Sequence, residues 1–352
     1  MFNFKLKLLK NFCKHLSEII LEENQIEYKI NMNKIILFIL KTHETIRVFF
    51  LLQIIIFNFF SFLIYFTRFN YLDLNQKIKL KKKILSLKFL KSTLLFDVLH
   101  AIIILNKYNS ENIKKIKIQN YNLEKKNNFF ENVVIGSGPG GSITAIELLK
   151  NNKECLMIEK GELWEIGKKK HSFEEFQNKW NYTGFTATLD KNMIQYASAN
   201  CLGGGSEINS GLYHSISSDF LKKYNNNISK NYYDTKIIEE LVNFSSEKKN
   251  YPQELKNLKK FFEIGKKNLN WKVETIPTFS DQNFKKNSMS KTLINEYVSN
   301  GGNILTGSNV IKLKKVSNNK YKIFIKKKKK INIILCKNIF VSCGAPYSYK
   351  LL

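Results

Sequence analysis

The chain has 352 residues, enough for roughly two or three domains with a buried core. It contains 57 lysines and arginines against 29 acidic residues, and its formal net charge is +28 at pH 7. Such a charge suggests nucleic acid or an anionic membrane as a partner. Only Arg47 and Arg68 are arginines, however, and arginine is the preferred residue for bidentate recognition of bases and phosphates. We therefore expect no nucleic-acid partner, whereas a nonspecific attraction to anionic lipid still follows from the charge.

The cysteine pattern excludes two further classes of protein. The five cysteines are Cys13, Cys155, Cys201, Cys336 and Cys343. No two of them are spaced as C-x-x-C and their number is odd, so the sequence predicts neither a metal site of the zinc type nor a disulfide scaffold. The basic opening segment lacks a continuous apolar stretch, so no signal peptide is predicted. We expect a cytoplasmic protein, with membrane association as the open alternative.

Residues 1–128 contain no cofactor motif and predict a helical extension rich in leucine, isoleucine and phenylalanine. The segment 48–67 has no charged residue and is long enough to cross a bilayer. Three polar residues interrupt it: Gln53, Asn58 and Ser61. A membrane span and a membrane-surface or buried helix therefore both remain open, and we favour the second.

The most informative motif is the G-x-G-x-x-G formed by Gly136, Gly138 and Gly141. An apolar strand precedes it, a helix-like stretch follows, and a second apolar strand, Cys155–Ile158, ends at Glu159. This order predicts a dinucleotide-binding βαβ unit, in which the helix N-terminus faces the pyrophosphate. The glycines permit a tight turn, a close backbone approach to the phosphates and close packing of the helix. The acid at the strand tip would accept hydrogen bonds from ribose hydroxyls. A carboxylate there disfavours a 2′-phosphate and therefore NADP, and it leaves FAD and NAD open.

A second glycine-rich segment lies between Asn200 and His214. Three consecutive glycines lack side chains, so their backbone can lie flat against a planar ligand. A hydroxyl and an amide in the same segment can form hydrogen bonds. The residues concerned are Gly203, Gly204, Gly205, Ser206 and Asn209.

Together with the C-terminal strand and its Ser-Cys-Gly-Ala turn, these motifs resemble the glucose-methanol-choline (GMC) flavoprotein oxidoreductases. The similar segments are Val133–Glu159, Cys201–His214, Lys291–Leu313 and Ile339–Leu352, which together cover about residues 130 to 352. The resemblance implies an α/β fold with a Rossmann-like FAD-binding domain at 129–352, truncated at its C-terminal end. Residues 1–128 would be the helical extension that precedes it.

The resemblance implies FAD as the cofactor rather than NAD. It places the pyrophosphate at Gly136, Gly138 and Gly141, the ribose at Glu159, the adenine at the backbone of Val310, and the isoalloxazine along Gly203, Gly204, Gly205, Ser206 and Asn209. Some relatives attach FAD through a histidine just before this asparagine. Ile208 stands there in this chain, so we expect noncovalent FAD.

The activity implied is oxidation of an alcohol, with the hydride passing to flavin N5 and an electron acceptor reoxidising the flavin. Residues 1–128 are similar to the extension of long-chain fatty alcohol oxidases, which favours an apolar alcohol. The family's catalytic histidine lies further toward the C-terminus than the matched region, so we expect no catalytic residue here and little turnover by this chain alone. His214 is the alternative base, and Tyr349 stands where the family usually has proline.

Two other functions remain open at this point. One is a noncatalytic flavin-binding fragment tethered to a membrane. The other is a different flavoprotein class, such as a monooxygenase or a ketosteroid dehydrogenase. The second would need another G-x-G-x-x-G motif or a different flavin loop, and the sequence contains no further motif of that form.

Overall fold

The computed structural model describes residues 2–23, 31–87, 100–102, 104, 114–116, 118–119, 121, 128–165, 173–186, 188, 194–212, 253–273, 278–280, 285–317 and 320–352. They form two compact units. One unit comprises Met1–Ile116 with Trp164–Asn200, and the other comprises Lys117–Leu163 with Cys201–Leu352. The domain boundary expected near residue 128 stays a prediction.

The helices are α1 Phe2–Glu23, α2 Met32–Lys41, α3 Glu44–Tyr65, α4 Leu74–Ser86, α5 Pro139–Lys150, α6 Phe173–Lys179, α7 Gln253–Leu269, α8 Leu293–Ser299 and α9 Ala345–Leu351. The strands are β1 Lys114–Ile116, β2 Phe129–Ile135, β3 Cys155–Ile158, β4 Leu163–Glu165, β5 Asn303–Leu305, β6 Asn309–Ser317, β7 Lys320–Lys327 and β8 Lys330–Val341.

The first unit is built from helices around one apolar core. Phe12 on α1 packs against Phe57 on α3 and against Phe69, with ring centroids 5.4 and 5.6 Å apart. The Phe12–Phe57 contact is edge-to-face, and aromatic contacts of this kind stabilise a core beyond simple burial. Polar caps set the helix ends: Asp73 and Gln76 form a reciprocal capping box at the start of α4. These local signals agree with the helical extension predicted for this part of the chain.

Helix α3 is the one helix among the described residues that is long and apolar enough to cross a membrane. Only 29% of its apolar window is buried within the structure. Length and composition alone do not distinguish a membrane span from a core helix, because both satisfy the same criterion.

The second unit contains a six-stranded sheet in the order β5-β3-β2-β8-β7-β6. The strands β5, β3, β2 and β8 are parallel, and β8, β7 and β6 form an antiparallel meander. Helix α5 connects β2 to its parallel neighbour β3, as in a βαβ unit. This strand order confirms the predicted α/β, Rossmann-like fold.

Both faces of β3 and of the C-terminal half of β2 are buried, which explains why Cys155–Ile158 and residues 133–135 are apolar throughout rather than alternating. Val134 and Met157 face a cluster that includes α5 and α8, whereas Val133 and Leu156 face a second cluster with the meander. Tyr297 on α8 is fully buried, and its hydroxyl lies 2.7 Å from the carbonyl oxygen of Cys155. The packing fixes β2 beside β3, so their carboxyl ends meet at one edge of the sheet.

Candidate dinucleotide-binding site

The first glycine loop leaves β2 in a conformation that only glycine adopts without strain. Gly136 has a φ of +101°, and its N–H donates to the carbonyl oxygen of Ile158 at 2.8 Å. A Cβ at Gly136 would collide with the carbonyl oxygen of Ser342, and a Cβ at Gly141 would collide with that of Gly136. At both positions any side chain would collide with backbone atoms, so only glycine fits.

The start of α5 has no side-chain cap within the described part of the chain and borders open space at Gly138. Gly138 is the N-cap of this helix, and no side chain among the described residues caps it. A Cβ at Gly138 would meet no atom within 4 Å, and its φ is −66°, so any residue could adopt this backbone. An uncapped helix N-terminus with room in front of it is a suitable site for an anion.

Glu159, at the end of β3, is tied to the first glycine loop by both of its carboxylate oxygens. Its Oε2 accepts from the N–H of Ser137 at 3.0 Å and from the hydroxyl of Ser137 at 2.6 Å, and its Oε1 accepts from the N–H of Gly161 at 2.7 Å. A carboxylate offers about four acceptor positions. Three bonds hold Glu159 fixed and leave about one acceptor position for a ligand, so its expected role toward a ribose stays a prediction.

The second glycine loop touches the first. The N–H of Gly203 donates to the hydroxyl of Ser137 at 3.0 Å, so this hydroxyl accepts from one loop and donates to Glu159. A Cβ at Gly204, whose φ is +58°, would lie 2.7 Å from the Cα of Gly138. The structure thus brings the two predicted glycine motifs together although 62 residues of chain separate Gly141 from Gly204.

The polar groups of the second loop mainly fix its own shape. The Ser206 hydroxyl donates to the carbonyl oxygen of Gly203 at 2.7 Å and accepts from the N–H of Met289 at 3.0 Å. Asn209 is exposed, and its side-chain oxygen accepts from the N–H of Gly211 at 3.1 Å. A Cβ at Gly205 would meet nothing within 4 Å, so this glycine borders open space.

Val310, predicted to lie at the adenine, is brought close to the acid through the sheet. The N–H of Ser308 donates to the carbonyl oxygen of Glu159 at 2.9 Å, and Val310 follows two residues later in β6. Val310 is partly buried against the meander cluster. All ten residues predicted for the cofactor lie in the second unit. Contacts at the carboxyl edge of β2 and β3 link six of them, Gly136, Gly138, Gly141, Glu159, Gly203 and Gly204.

Sequence reasoning missed two residues that organise this edge. Ser137 occupies a variable position of the glycine motif, so nothing in the pattern marks it as the hydroxyl that joins the loops. Glu162 accepts from the Thr306 hydroxyl at 2.9 Å through Oε2, and its carbonyl oxygen accepts from the N–H of Leu202 at 3.0 Å. Both act across long stretches of chain, and only the fold brings their partners near.

A cationic side chain lies next to Glu159 in the sequence. Lys160 follows Glu159 and its ammonium nitrogen lies 5.3 Å from the ring centroid of Tyr347, within cation–π range. Part of its surface is exposed, yet crowding by neighbouring protein atoms lowers the pKa of Lys160, while the charge of Glu159 opposes that shift. The alternative base His214 lies outside the described residues.

Comparison with known proteins identifies the relatives of this chain. No family model matches it. A curated relative, the uncharacterized GMC-type oxidoreductase y4nJ of Sinorhizobium fredii (strain NBRC 101917 / NGR234), is 34% identical over 93 residues. The predicted likeness to GMC-type oxidoreductases is confirmed. The match covers 26% of this chain and 18% of the relative, so the chain spans less than a fifth of that GMC-type protein.

Two solved structures are more distant neighbours. Pyridoxine 4-oxidase from Mesorbium loti is 15% identical with a TM-score of 0.44, over 61% of this chain and 50% of that one. Formate oxidase is also 15% identical with a TM-score of 0.44, over 64% of this chain and 47% of that one. We therefore assign the fold from its own strand order. The similarity of residues 1–128 to long-chain fatty alcohol oxidases stays a prediction.

Proposed function

We propose that the protein is an FAD-dependent oxidoreductase acting on CH–OH groups of donors, and that this chain supplies its FAD-binding part. The observation that supports this most directly is the contact of the two glycine loops, where Gly204 meets Gly138. That contact lies at the carboxyl edge of β2 and β3, where parallel α/β sheets bind dinucleotides. The likeness to a GMC-type oxidoreductase supports the same class of reaction.

The residues at this edge fit FAD in three respects. The N-terminus of α5 has no side-chain cap from the residues that the structure describes, which suits a pyrophosphate. Gly138 and Gly205 both border open space, so backbone can approach a ligand there. Glu159 is a fixed, buried carboxylate with about one acceptor position left for a hydroxyl. FAD would supply the two-electron redox chemistry there, and these residues would hold and orient it.

Each group of the cofactor has proposed partners in this chain. The pyrophosphate would lie at Gly136, Gly138 and Gly141, the ribose at Glu159, the adenine at Val310, and the isoalloxazine along Gly203, Gly204, Gly205, Ser206 and Asn209. We propose noncovalent attachment, because Ile208 offers no nucleophilic atom at the position where a histidine would be needed.

The proposed substrate is an apolar or long-chain alcohol, and an electron acceptor completes the reaction. The support for an apolar substrate is the resemblance of residues 1–128 to the extension of long-chain fatty alcohol oxidases. A cytoplasmic location is proposed together with contact of residues 48–67 with a membrane surface. No nucleic acid is expected as a partner, because the chain contains only two arginines.

The cofactor proposal is tested with a matched pair of glycine variants of the full chain. After incubation with FAD the parent should show visible flavin absorbance, and acid precipitation should release the flavin to the supernatant. Gly138→Ala should fold like the parent but bind FAD about tenfold or more weakly, because its Cβ enters the open space at the helix start.

Gly140→Ala is the control, since its Cβ would lie 3.9 Å from the Ser342 hydroxyl, an ordinary contact, and Gly140 is exposed. Equal FAD affinity in both variants would contradict the proposed pyrophosphate position. A parent that folds but takes up no FAD would contradict the cofactor itself. Bleaching of the bound flavin by a long-chain or short-chain alcohol would argue against the noncatalytic flavin-binding alternative, and it would also contradict the expectation of little turnover by this chain alone.

A further inference from the structure

Helix α3 has two apolar faces, and among the described residues only one of them is packed. Phe50, Ile54 and Phe57 lie on the inner face, where they are at most 7% exposed within the core of the first unit. The other face, here called the outer stripe, consists of residues that recur at helical spacing and are 44 to 82% exposed. They are Val48, Leu52, Ile55, Phe59, Phe62, Leu63 and Phe66.

The outer stripe is larger than an ordinary apolar surface patch. Phe66 lies 18 positions after Val48, which corresponds to about 27 Å along a helix. Seven large side chains at these exposures present on the order of 700 Å² of apolar surface, above the few hundred Å² usual for a soluble monomer. A patch of this size indicates an interaction surface.

The ends of the outer stripe and the charge of the chain indicate its partner. Beyond its C-terminal end, Arg68 is exposed and Tyr71 is 77% exposed, and Lys41 is exposed just before α3. Tyrosine and basic residues are typical anchors at a membrane interface. A net charge of +28 opposes association of two copies through these faces and attracts anionic lipid.

Polar groups on the inner face of α3 argue against a helix that crosses the bilayer. The side-chain oxygen of Asn58 accepts from the N–H of Phe69 at 3.3 Å, and the Ser61 hydroxyl donates to the carbonyl oxygen of Thr67 at 2.7 Å. Gln53, also on this face, is 3% exposed. A helix crossing the bilayer would have to leave this core and expose these polar groups to hydrocarbon.

We propose that α3 lies in the plane of an anionic membrane surface, with the outer stripe inserted at the headgroup boundary and the inner face still packed on the first unit. This inference deepens the membrane contact proposed above and is independent of FAD binding, because its readout needs no flavin. The depth expected is about 5 to 10 Å, as for other interfacial helices.

Phe66 gives a direct way to separate membrane binding from folding. It caps α3 in the left-handed conformation, with φ of 55°, and is 82% exposed. Glycine adopts this conformation without strain, whereas a side chain with a Cβ does not. Phe66→Gly should therefore raise the unfolding midpoint of the chain while weakening its binding to vesicles. A merely structural role for Phe66 would not produce this opposite pair of effects.

The binding test uses the full chain and sedimentation with vesicles of phosphatidylcholine alone or mixed with phosphatidylglycerol. Phe59→Ser with Phe62→Ser should reduce binding to the anionic vesicles about tenfold or more. The matched control is Ile331→Ser with Ile333→Ser, whose parent side chains on β8 are 60% and 45% exposed. Equal binding by both double variants would overturn the proposal.

The orientation test measures depth at two places along the outer stripe. Leu52→Trp and Phe62→Trp add a tryptophan ten residues, or about 15 Å, apart along the helix. Quenching by lipids brominated at different depths, with the parent signal subtracted, should give the same shallow depth for both. Depths that differ by several ångströms would mean a spanning helix and would overturn the in-plane orientation.

Discussion

The hydroxyl of Ser137 joins the two glycine loops through hydrogen bonds to Glu159 and Gly203. In Ser137→Ala, Glu159 loses its 2.6 Å bond from this hydroxyl, and the buried N–H of Gly203 loses its acceptor. A hydrogen bond to a charged group contributes about 1.5 to 3 kcal/mol, and a buried donor left without a partner costs about 1 to 3 kcal/mol. Since the loops can relax in part, we expect a loss of about 3 kcal/mol in unfolding free energy.

The assay is urea unfolding of the full chain, followed by circular dichroism and by FAD affinity on the same samples. Thr144→Ala is the control, because its hydroxyl donates to the carbonyl oxygen of Gly140 at 2.8 Å near the surface of α5. We expect that change to stay within about 0.5 kcal/mol of the parent. Equal stability of the two variants would refute the argument that the Ser137 hydroxyl joins the two loops.

Further predictions concern the loops, the core and the thiols of the second unit. Gly204→Ala should lower the urea midpoint because of its positive φ and its contact with the first loop, whereas Gly205→Ala should not; the same midpoint for both would contradict the loop contact. Tyr297→Phe should cost about 1 to 3 kcal/mol by removing a buried hydroxyl from two carbonyl oxygens, measured by urea unfolding, and an unchanged midpoint would count against it. Cys343, the cysteine that is partly exposed, should react first with a thiol reagent under native conditions, in a time course checked against Cys343→Ser. Burial raises the pKa of the Cys336 thiol to about 12 from an ordinary 9.0. Above pH 9 the unfolded thiol ionises while the folded one does not, so unfolding free energy should fall as pH rises toward 12; Cys336→Ala should make that slope shallower by about 1.4 kcal/mol per pH unit.

The βαβ unit could be predicted because its signals are local. Glycine spacing, the apolar runs on either side and the terminal acid all lie within residues 133–159. In the structure these segments form β2, α5 and β3 in that order, with β2 and β3 as parallel neighbours. The C-terminal strand before the Ser-Cys-Gly-Ala turn was also predictable, although its extent was not. In the structure this strand, β8, runs from Lys330 to Val341, because β2 and β7 pair with it from opposite sides.

Contacts between distant segments could not be predicted from the same signals. Ser206 bonds to Met289, 83 residues away, and a serine has no sequence pattern that would indicate such a partner. The two faces of α3 were equally hidden, because the polar residues of its apolar run, Gln53, Asn58 and Ser61, lie on the packed face rather than on the exposed one. Only the packing of Phe57 and the exposure of Phe59 distinguish them.

The central position of β8 has a consequence for synthesis of the chain. Strand β2 pairs with β8, and the side chain of Asn338 donates to that of Asn132 across 206 residues of sequence. A ribosome adding about 5 to 20 residues per second needs about 10 to 40 seconds to make that interval. During this time β2 has β3 on one side and no partner on the other. Nascent chains of this protein should therefore depend on holding chaperones until the meander emerges and closes the open edge.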